Sequence, residues 1–277
     1  MELKKILRDT NFEFKKKFGQ NFISDGNLLQ AICDDAELTE QDEVLEIGVG
    51  AGTLTKAIAT NAKKVVGYEI DNTLKDVLLI SLQDINNVEI VFEDFLKAEE
   101  CQIAKKFSRK FKVVANLPYY VTTDIIFKLI QGNFDISSIT IMVQKEVAER
   151  LVAKCGTKDY GSITVQLESC SDVKITRIVD RMMFNPVPNV DSAIVNIKIN
   201  RNKFDIKNQQ LHTRVIKAGF SMRRKTLANC LKSNFCLTTT QIDSLFHKLG
   251  YLSTIRGEML SAKEYVNLSN ALSEILV

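Results

Sequence analysis

Residues 43–54 read Glu43-Val-Leu-Glu-Ile-Gly-Val-Gly-Ala-Gly-Thr-Leu54. An apolar strand runs straight into glycines at alternate positions, Gly48, Gly50 and Gly52, and a helix-like stretch from Leu54 to Ala62 follows. A glycine-rich strand-to-helix turn lets backbone approach a ligand closely and aims a helix N-terminus at it. The spacing differs from that of a dinucleotide site, where the third glycine comes one residue later. Glu46 also precedes the first glycine here.

Outward from this turn the strand pattern repeats. Val65-Val-Gly-Tyr-Glu-Ile-Asp71 ends in acids about one βαβ unit further on. In α/β nucleotide sites a carboxylate there accepts from ribose hydroxyls. Glu69 is preferred over Asp71 because it stands at the strand end. Val88-Glu-Ile-Val-Phe-Glu-Asp94 ends in Asp94, suited to accept from an adenine amine, with Phe95 placed to pack on that ring. Phe111-Lys-Val-Val-Ala115 leads into Asn116-Leu-Pro-Tyr119, and Ser138-Ile-Thr-Ile-Met-Val143 is the fifth strand. Strands alternating with helical stretches predict a parallel sheet covered by helices on both faces. Ligands of such sheets bind at the carboxyl ends of the strands. A single strand-end acid is commonly just solvated. Four consecutive strand ends carrying the glycines, Glu69, Asp94 and Asn116–Tyr119 are the pattern of one site.

Asn116–Tyr119 has the parts needed to make an exocyclic amine attack. The Asn116 amide oxygen and the Leu117 carbonyl each accept a hydrogen bond from an NH2 group. Pro118 stiffens the turn without adding a donor. Tyr119 offers a ring face for stacking on a base. An amine conjugated to a purine is a poor nucleophile, because its lone pair is delocalised into the ring. Two acceptors on its hydrogens favour a pyramidal nitrogen and aim the lone pair at an electrophile.

The rest of the chain supplies the frame. Residues 1–40 are predicted helical around a Phe-Gly-Gln-Asn-Phe turn, and Gln144–Ala153 is predicted as a helix. Ser162–Ser169 and Asp191–Ile199, rich in Val, Ile and Thr, are expected to form a closing antiparallel pair, with Phe184–Asn189 as a loop. Helical periodicity follows at Gln209–Ala218, Arg224–Lys232, Thr240–Leu249 and Ala262–Leu276. The expected architecture is α/β, a mostly parallel Rossmann-like sheet over residues 1–202 with a small helical domain over 203–277.

Composition bounds the function. Hydrophobic content of 45% over 277 residues supports ordinary globular cores. The start, Met1-Glu-Leu-Lys-Lys-Ile-Leu-Arg8, has no apolar signal core, and no apolar run reaches membrane-span length, so a cytoplasmic protein is expected. Six cysteines without a Cys-x-x-Cys pair, and only two histidines, His212 and His247, argue for free thiols and against a metal site. Net charge is +3, but residues 201–277 alone carry +7 and the preceding 200 carry −4. A basic C-terminal segment beside a mildly acidic catalytic domain is where a polyanion would dock.

In these residues the chain resembles the ribosomal RNA adenine N6,N6-dimethyltransferases, and among them the bacterial small-subunit type. Lys17-Phe-Gly-Gln-Asn-Phe22 resembles the family's N-terminal motif. Glu46–Thr53 is similar to motif I of S-adenosylmethionine-dependent methyltransferases, and Asn116–Tyr119 to motif IV. Gln144–Leu151, Tyr160-Gly161, Phe184–Ser192, Phe220–Leu227 and Arg256–Ser261 extend the likeness over nearly the whole chain. Val49, Ile23 and Asp124 depart from the family's usual Pro, Leu and Pro.

The resemblance implies a class I methyltransferase sheet, S-adenosyl-L-methionine as cofactor and no metal. It implies dimethylation of two adjacent adenines in a hairpin loop near the 3′ end of small-subunit (16S) rRNA, within an immature 30S particle, by a monomer. Asn21, Ile23 (through its backbone), Gly48, Gly50, Glu69, Asp94, Phe95 and Asn116 would hold the cofactor. Asn116, Leu117, Pro118, Tyr119 and Phe184 would hold the adenine, Tyr119 on one face and Phe184 on the other. A core plug before a Pro turn is the alternative for Phe184. Arg150, Arg223, Arg224 and Lys225 would contact RNA. Two other functions stand beside this one: a large-subunit (23S) enzyme of the macrolide-resistance type, and an assembly checkpoint factor whose methylation is secondary.

Overall fold

The computed structural model describes residues 2–10, 12–15, 19–222 and 224–276. In chain order the elements are α1 (Glu2–Asp9), β1 (Phe22–Ile23), α2 (Gly26–Asp35), β2 (Glu43–Ile47), α3 (Thr53–Asn61) and β3 (Lys64–Glu69). Then come α4 (Lys75–Ser81), β4 (Val88–Phe92), α5 (Glu100–Ala104), β5 (Phe111–Asn116), α6 (Thr122–Gln131), β6 (Ile136–Gln144) and α7 (Lys145–Leu151). The remainder is α8 (Ser162–Cys170), β7 (Ser171–Val179), β8 (Phe184–Asn185), β9 (Ser192–Ile199), α9 (Gln209–Gly219), α10 (Leu227–Phe235), α11 (Thr239–Leu249) and α12 (Ala262–Ser273).

Seven strands form one sheet in the order β4-β3-β2-β5-β6-β9-β7. The pairs β2–β3, β3–β4, β2–β5 and β5–β6 are parallel, and β6–β9 is antiparallel. Every residue of β2 is buried, as expected of a central parallel strand covered on both faces. Gly67 of β3 is needed for packing, since a Cβ there would stand 2.5 Å from Val49 Cγ2. Val49, which departs from the family's Pro, is thus a core side chain, 4% exposed, seated over that glycine.

Two compact units result: residues up to Ala148 with Lys174–Ile199, and Glu149–Val173 with Asn200 onward. The expected division at 202/203 places one crossing close to Asn200 but assigns Glu149–Val173 to the other unit. Ser162–Ser169, expected as a strand, lies instead in the helix α8. Its residues are buried nearly all round, so neither a period of 2 nor one of 3.6 shows in the sequence. Hydroxyls bond back onto it: Ser169 Oγ donates to Val165 O (2.7 Å), and Ser171 Oγ, just past its end, to Leu167 O (2.6 Å). The strand that extends the sheet beyond β9 is instead β7.

The helical unit closes on a core containing Val165, Val215, Leu231, Leu245, Tyr265 and Leu268. Helices α11 and α12 start on capping boxes, Thr238 with Gln241 and Ser261 with Glu264, and α10 on the Thr226 cap. That cap starts α10 at Leu227, three residues later than expected, and leaves Arg224 and Lys225 in the preceding loop. His212 lies buried between Ser169 Oγ and Ser269 Oγ, 3.0 Å from each. Burial pushes its pKa down to about 4, so it is a neutral core residue. Among the described residues no helix is long and apolar enough to cross a membrane, and no three His, Cys, Asp or Glu side chains converge as a metal site.

Candidate active site

From β2 the chain builds outward through β3 to β4, then returns to place β5 on the other side of β2. The loops after β2 and β5 therefore part in opposite directions and open a crevice at the carboxyl edge. The crevice is walled by Gly19–Ile23, the turn Gly48–Ala51, Glu69 and Asn116–Tyr119.

The glycine turn is built for close approach. Gly48 and Gly50 take φ of +79° and +60°, in the left-handed region that disfavours a Cβ. A Cβ on Gly50 would also stand 3.0 Å from the Phe22 ring. The Gly50 N–H donates to Glu69 Oε2 and the Asp71 N–H to Glu69 Oε1, both at 2.8 Å. Glu69 is 5% exposed. Burial raises its pKa against the pull of those two donors. Asp71 has a different task. It accepts from Lys15 Nζ (2.8 Å) and Gln20 Nε2 (2.9 Å), clasping the N-terminal segment against the sheet. Burial works against its charge, yet the bonds from Lys15, Thr73 and Gln20 hold its pKa below the ordinary range.

Glu46 is the residue the sequence leaves without a role. It is fully buried on the crevice wall, and neither carboxylate oxygen has a hydrogen-bond partner. Burial pushes its pKa up to about 8; the nearby Thr55 hydroxyl pulls down and the Glu69 charge pushes further up. The Thr55 hydroxyl is itself unpartnered, so its pull is weak and Glu46 is a buried acceptor in need of a donor. A carboxylate inside an apolar strand, just before the glycines, is the signal that marks it.

At the end of β5, Asn116 Nδ2 donates to the Asn21 carbonyl at 3.0 Å. A carbonyl can only accept, so this bond settles which end of the amide is NH2. The Oδ1 is thereby left as the acceptor of a side chain that lines the crevice. The Pro118 carbonyl is occupied by Thr122 Oγ1 (3.0 Å) and the Val121 N–H (3.3 Å), which start α6. Tyr119 lines the crevice with its ring, while its hydroxyl is 2.9 Å from Oγ of the fully buried Ser192. Burial raises its pKa, so it remains a neutral phenol.

Other expected residues stand apart from the crevice wall. Phe184 is 3% exposed, pairs with Ile23 through the β1–β8 ladder, and packs in the apolar cluster that holds Ile23, Val179 and Ile194. That is the position of a core plug. Asp94 accepts from the Leu96 N–H (3.0 Å) at the turn after β4. Phe95 is buried edge-on against Tyr68, with Lys128 Nζ 5.0 Å from its ring centre. Exposed Tyr120 feels both Asp94 and Glu69, because their charges raise its pKa after burial does. In the helical unit Arg150 is exposed and lies against Gly161, while Arg224 and Lys225 are exposed in the loop before α10. Arg223 lies outside the described residues.

The crevice thus combines Glu69, which already holds two backbone N–H groups, the buried and unpartnered Glu46 carboxyl, and the bare backbone of Gly48 and Gly50. The model of the family described as "Ribosomal RNA adenine dimethylase" matches residues 11–274. The ribosomal RNA small subunit methyltransferase A of Streptococcus thermophilus is 42% identical over 98% of this chain and 96% of its own length. The protein of that name from Clostridium acetobutylicum is 39% identical over 96% of each. A dimethyladenosine transferase from Plasmodium falciparum has a TM-score of 0.78 at 26% identity, covering 91% of this chain and 98% of its own. A 23S rRNA methyltransferase has a TM-score of 0.67 at 26% identity, covering 91% and 100%. The chain belongs to the ribosomal RNA adenine dimethylase family.

Proposed function

We propose that this family member uses S-adenosyl-L-methionine to dimethylate N6 of two adjacent adenines in a hairpin loop near the 3′ end of small-subunit (16S) rRNA, during 30S assembly. The observation that carries the chemistry is the Asn116 amide. Its NH2 is tied to the Asn21 carbonyl, so its oxygen accepts from the adenine amine at the crevice. Identities of about 40% over nearly the whole chain with small-subunit methyltransferases support the choice of rRNA.

The cofactor, when bound, supplies an activated sulfonium methyl group. This chain's residues then bind, orient and exclude water. Gly48 and Gly50 bring bare backbone to the ligand, Asn21 and Ile23 close the opposite wall, and Glu69 accepts from ribose hydroxyls while holding the glycine turn. Glu46 gives a buried acceptor toward the cationic end. Asp94 and Phe95 would read the adenine of the cofactor. Asn116 Oδ1 and the Leu117 carbonyl accept the two hydrogens of N6, and Tyr119 stacks on the splayed base. Phe184 joins that stack only if its ring leaves the Ile23 cluster, so the weight falls on Tyr119. The amine nitrogen turns acidic once it has attacked, so a strong general base is unnecessary. In the basic helical unit, Arg150, Arg223, Arg224 and Lys225 meet phosphates of the particle. The working form is a cytoplasmic monomer.

Methylation of purified small subunits, large subunits and naked rRNA, with the modified bases mapped, tests this. Paired N6,N6-dimethyladenines in the small-subunit rRNA are expected. Modification confined to large-subunit rRNA would overturn the choice of substrate.

A further inference from the structure

Five large apolar side chains are exposed within residues 178–190, the stretch of chain that runs into and out of β8. Ile178 is 54% exposed, Met182 70%, Met183 44%, Val187 49% and Val190 40%. Single exposed apolar residues are ordinary, but a contiguous group marks a contact surface. This stretch is also braced. The Met182 N–H donates to Asp180 Oδ1 at 2.8 Å, and the Arg181 N–H to Asp191 Oδ1 at 3.2 Å. Arg181 Nη1 donates to the Asn189 carbonyl at 3.2 Å, tying the two limbs of the loop together. The methionines are therefore presented outward from a stiffened crest.

The crest is continuous with the catalytic crevice. Its first limb leads into β8, which pairs with Phe22 and Ile23 of the crevice wall. Its second limb ends at Ser192, the partner of the Tyr119 hydroxyl. Arg181 and Lys145 are exposed beside it, the latter joined to the loop through its backbone N–H on Asp191 O (3.0 Å). Asp180 caps Met182 and Asp191 accepts from the Arg181 N–H, while Glu146, next to Lys145 in sequence, is also exposed. Apolar surface flanked by cations suits unstacked nucleobases with their phosphates. When a base leaves its stack, the neighbouring faces become exposed apolar surface, and proteins fill such gaps with apolar wedges, methionine among them.

We propose that Met182 and Met183 form a wedge that stacks on the RNA bases flanking the target adenine and holds the gap open while that adenine occupies the crevice. The wedge rests on the placement of adenine against Tyr119 proposed above. It would act on the base-splaying step, not on cofactor binding and not on docking of the particle as a whole.

The test is single-turnover methylation of purified small subunits with saturating cofactor, using Met182→Ser/Met183→Ser, Met182→Leu/Met183→Leu and Tyr119→Ala. The serine pair is expected to slow transfer about ten-fold, the scale of one base-stacking contact. Subunit affinity and cofactor affinity should stay unchanged, and the leucine pair should restore the rate. In a hairpin RNA with 2-aminopurine beside the target, the serine pair should lose the fluorescence change that accompanies unstacking. An unchanged rate in the serine pair, while Tyr119→Ala is slow, overturns the wedge alone. Unchanged rates in both variants would instead remove the adenine from this crevice. Weakened subunit affinity with a normal rate at saturation would overturn the wedge and assign the crest to a protein contact on the particle. A serine pair that alters self-association would assign it to a second copy of the chain.

Discussion

The Tyr119–Ser192 hydrogen bond makes a sharp demand on the active site. Ser192 is fully buried, and its hydroxyl is bonded to Tyr119 at 2.9 Å. Tyr119→Phe strands that hydroxyl, at a cost of about 1–3 kcal/mol for a buried polar group without a partner. Ser192→Ala is milder, about 0.5–1.5 kcal/mol, because half-buried Tyr119 can turn its hydroxyl to water. The double variant Tyr119→Phe/Ser192→Ala leaves no orphan and should resemble Ser192→Ala. The expected coupling therefore equals the Tyr119→Phe cost, about 1–3 kcal/mol in equilibrium unfolding, within the range for contacting residues. In single-turnover methylation, a tether that only sets ring orientation makes Tyr119→Phe and Ser192→Ala similarly and modestly slow. Tyr119→Ala should lose the stack itself, roughly 1–3 kcal/mol, and be the slowest. Stability losses that simply add in the double variant would refute the coupling. A Tyr119→Phe rate as low as that of Tyr119→Ala would refute the tether and give the hydroxyl a chemical role.

Asn116→Ala should lower the transfer rate on the order of a hundredfold or more, the scale of one preorganised transition-state hydrogen bond, with RNA affinity nearly intact; single-turnover rates beside binding isotherms check it. Glu69→Ala removes the acceptor of the Gly50 and Asp71 N–H groups as well as the proposed ribose contact, so calorimetry should show cofactor affinity weaker by roughly 1.5–3 kcal/mol. Arg224→Ala/Lys225→Ala should weaken subunit binding and flatten its salt dependence while leaving cofactor binding unchanged; an unaltered salt slope would remove the helical unit from docking. Glu46 keeps its proton in the folded chain up to about 8, whereas the unfolded chain loses it in the ordinary carboxylate range. The folded state then binds more protons between those limits, so without cofactor stability should fall as pH rises through that window. Glu46→Gln should flatten that profile in urea titrations, and an unchanged profile would place the titration elsewhere.

Much of the fold was legible because its rules are local. Glycines at 48, 50 and 52 after an apolar strand specify a strand-to-helix turn, since left-handed backbone excludes most other residues. The Thr238–Gln241 and Ser261–Glu264 boxes start helices within four residues of sequence. Strand and helix alternation over residues 43–146 was enough for the parallel sheet, and the order of strand ends was enough to collect Gly48, Glu69 and Asn116. Motif resemblance added the family.

Only the tertiary structure decided the rest. Ser162–Ser169 looked like a strand because Val, Ile and Thr favour one, but burial on all sides within the helical unit made it a helix and erased its periodicity. That Phe184 packs with Ile23 in the apolar cluster shows only in the tertiary structure. Glu69 and Asp71 are two residues apart, and only the arrival of Lys15 and Gln20 separates a crevice carboxylate from a structural one. The Asn116 amide is oriented by a carbonyl 95 residues away, and the Tyr119 hydroxyl is held by a serine 73 residues away. Glu46 is marked in the sequence by its place in an apolar strand, but its burial without a partner is set by the tertiary packing. Backbone restrictions act within a few residues and so can be read along the chain. Burial and hydrogen-bond pairing are set by what distant segments bring to the same place.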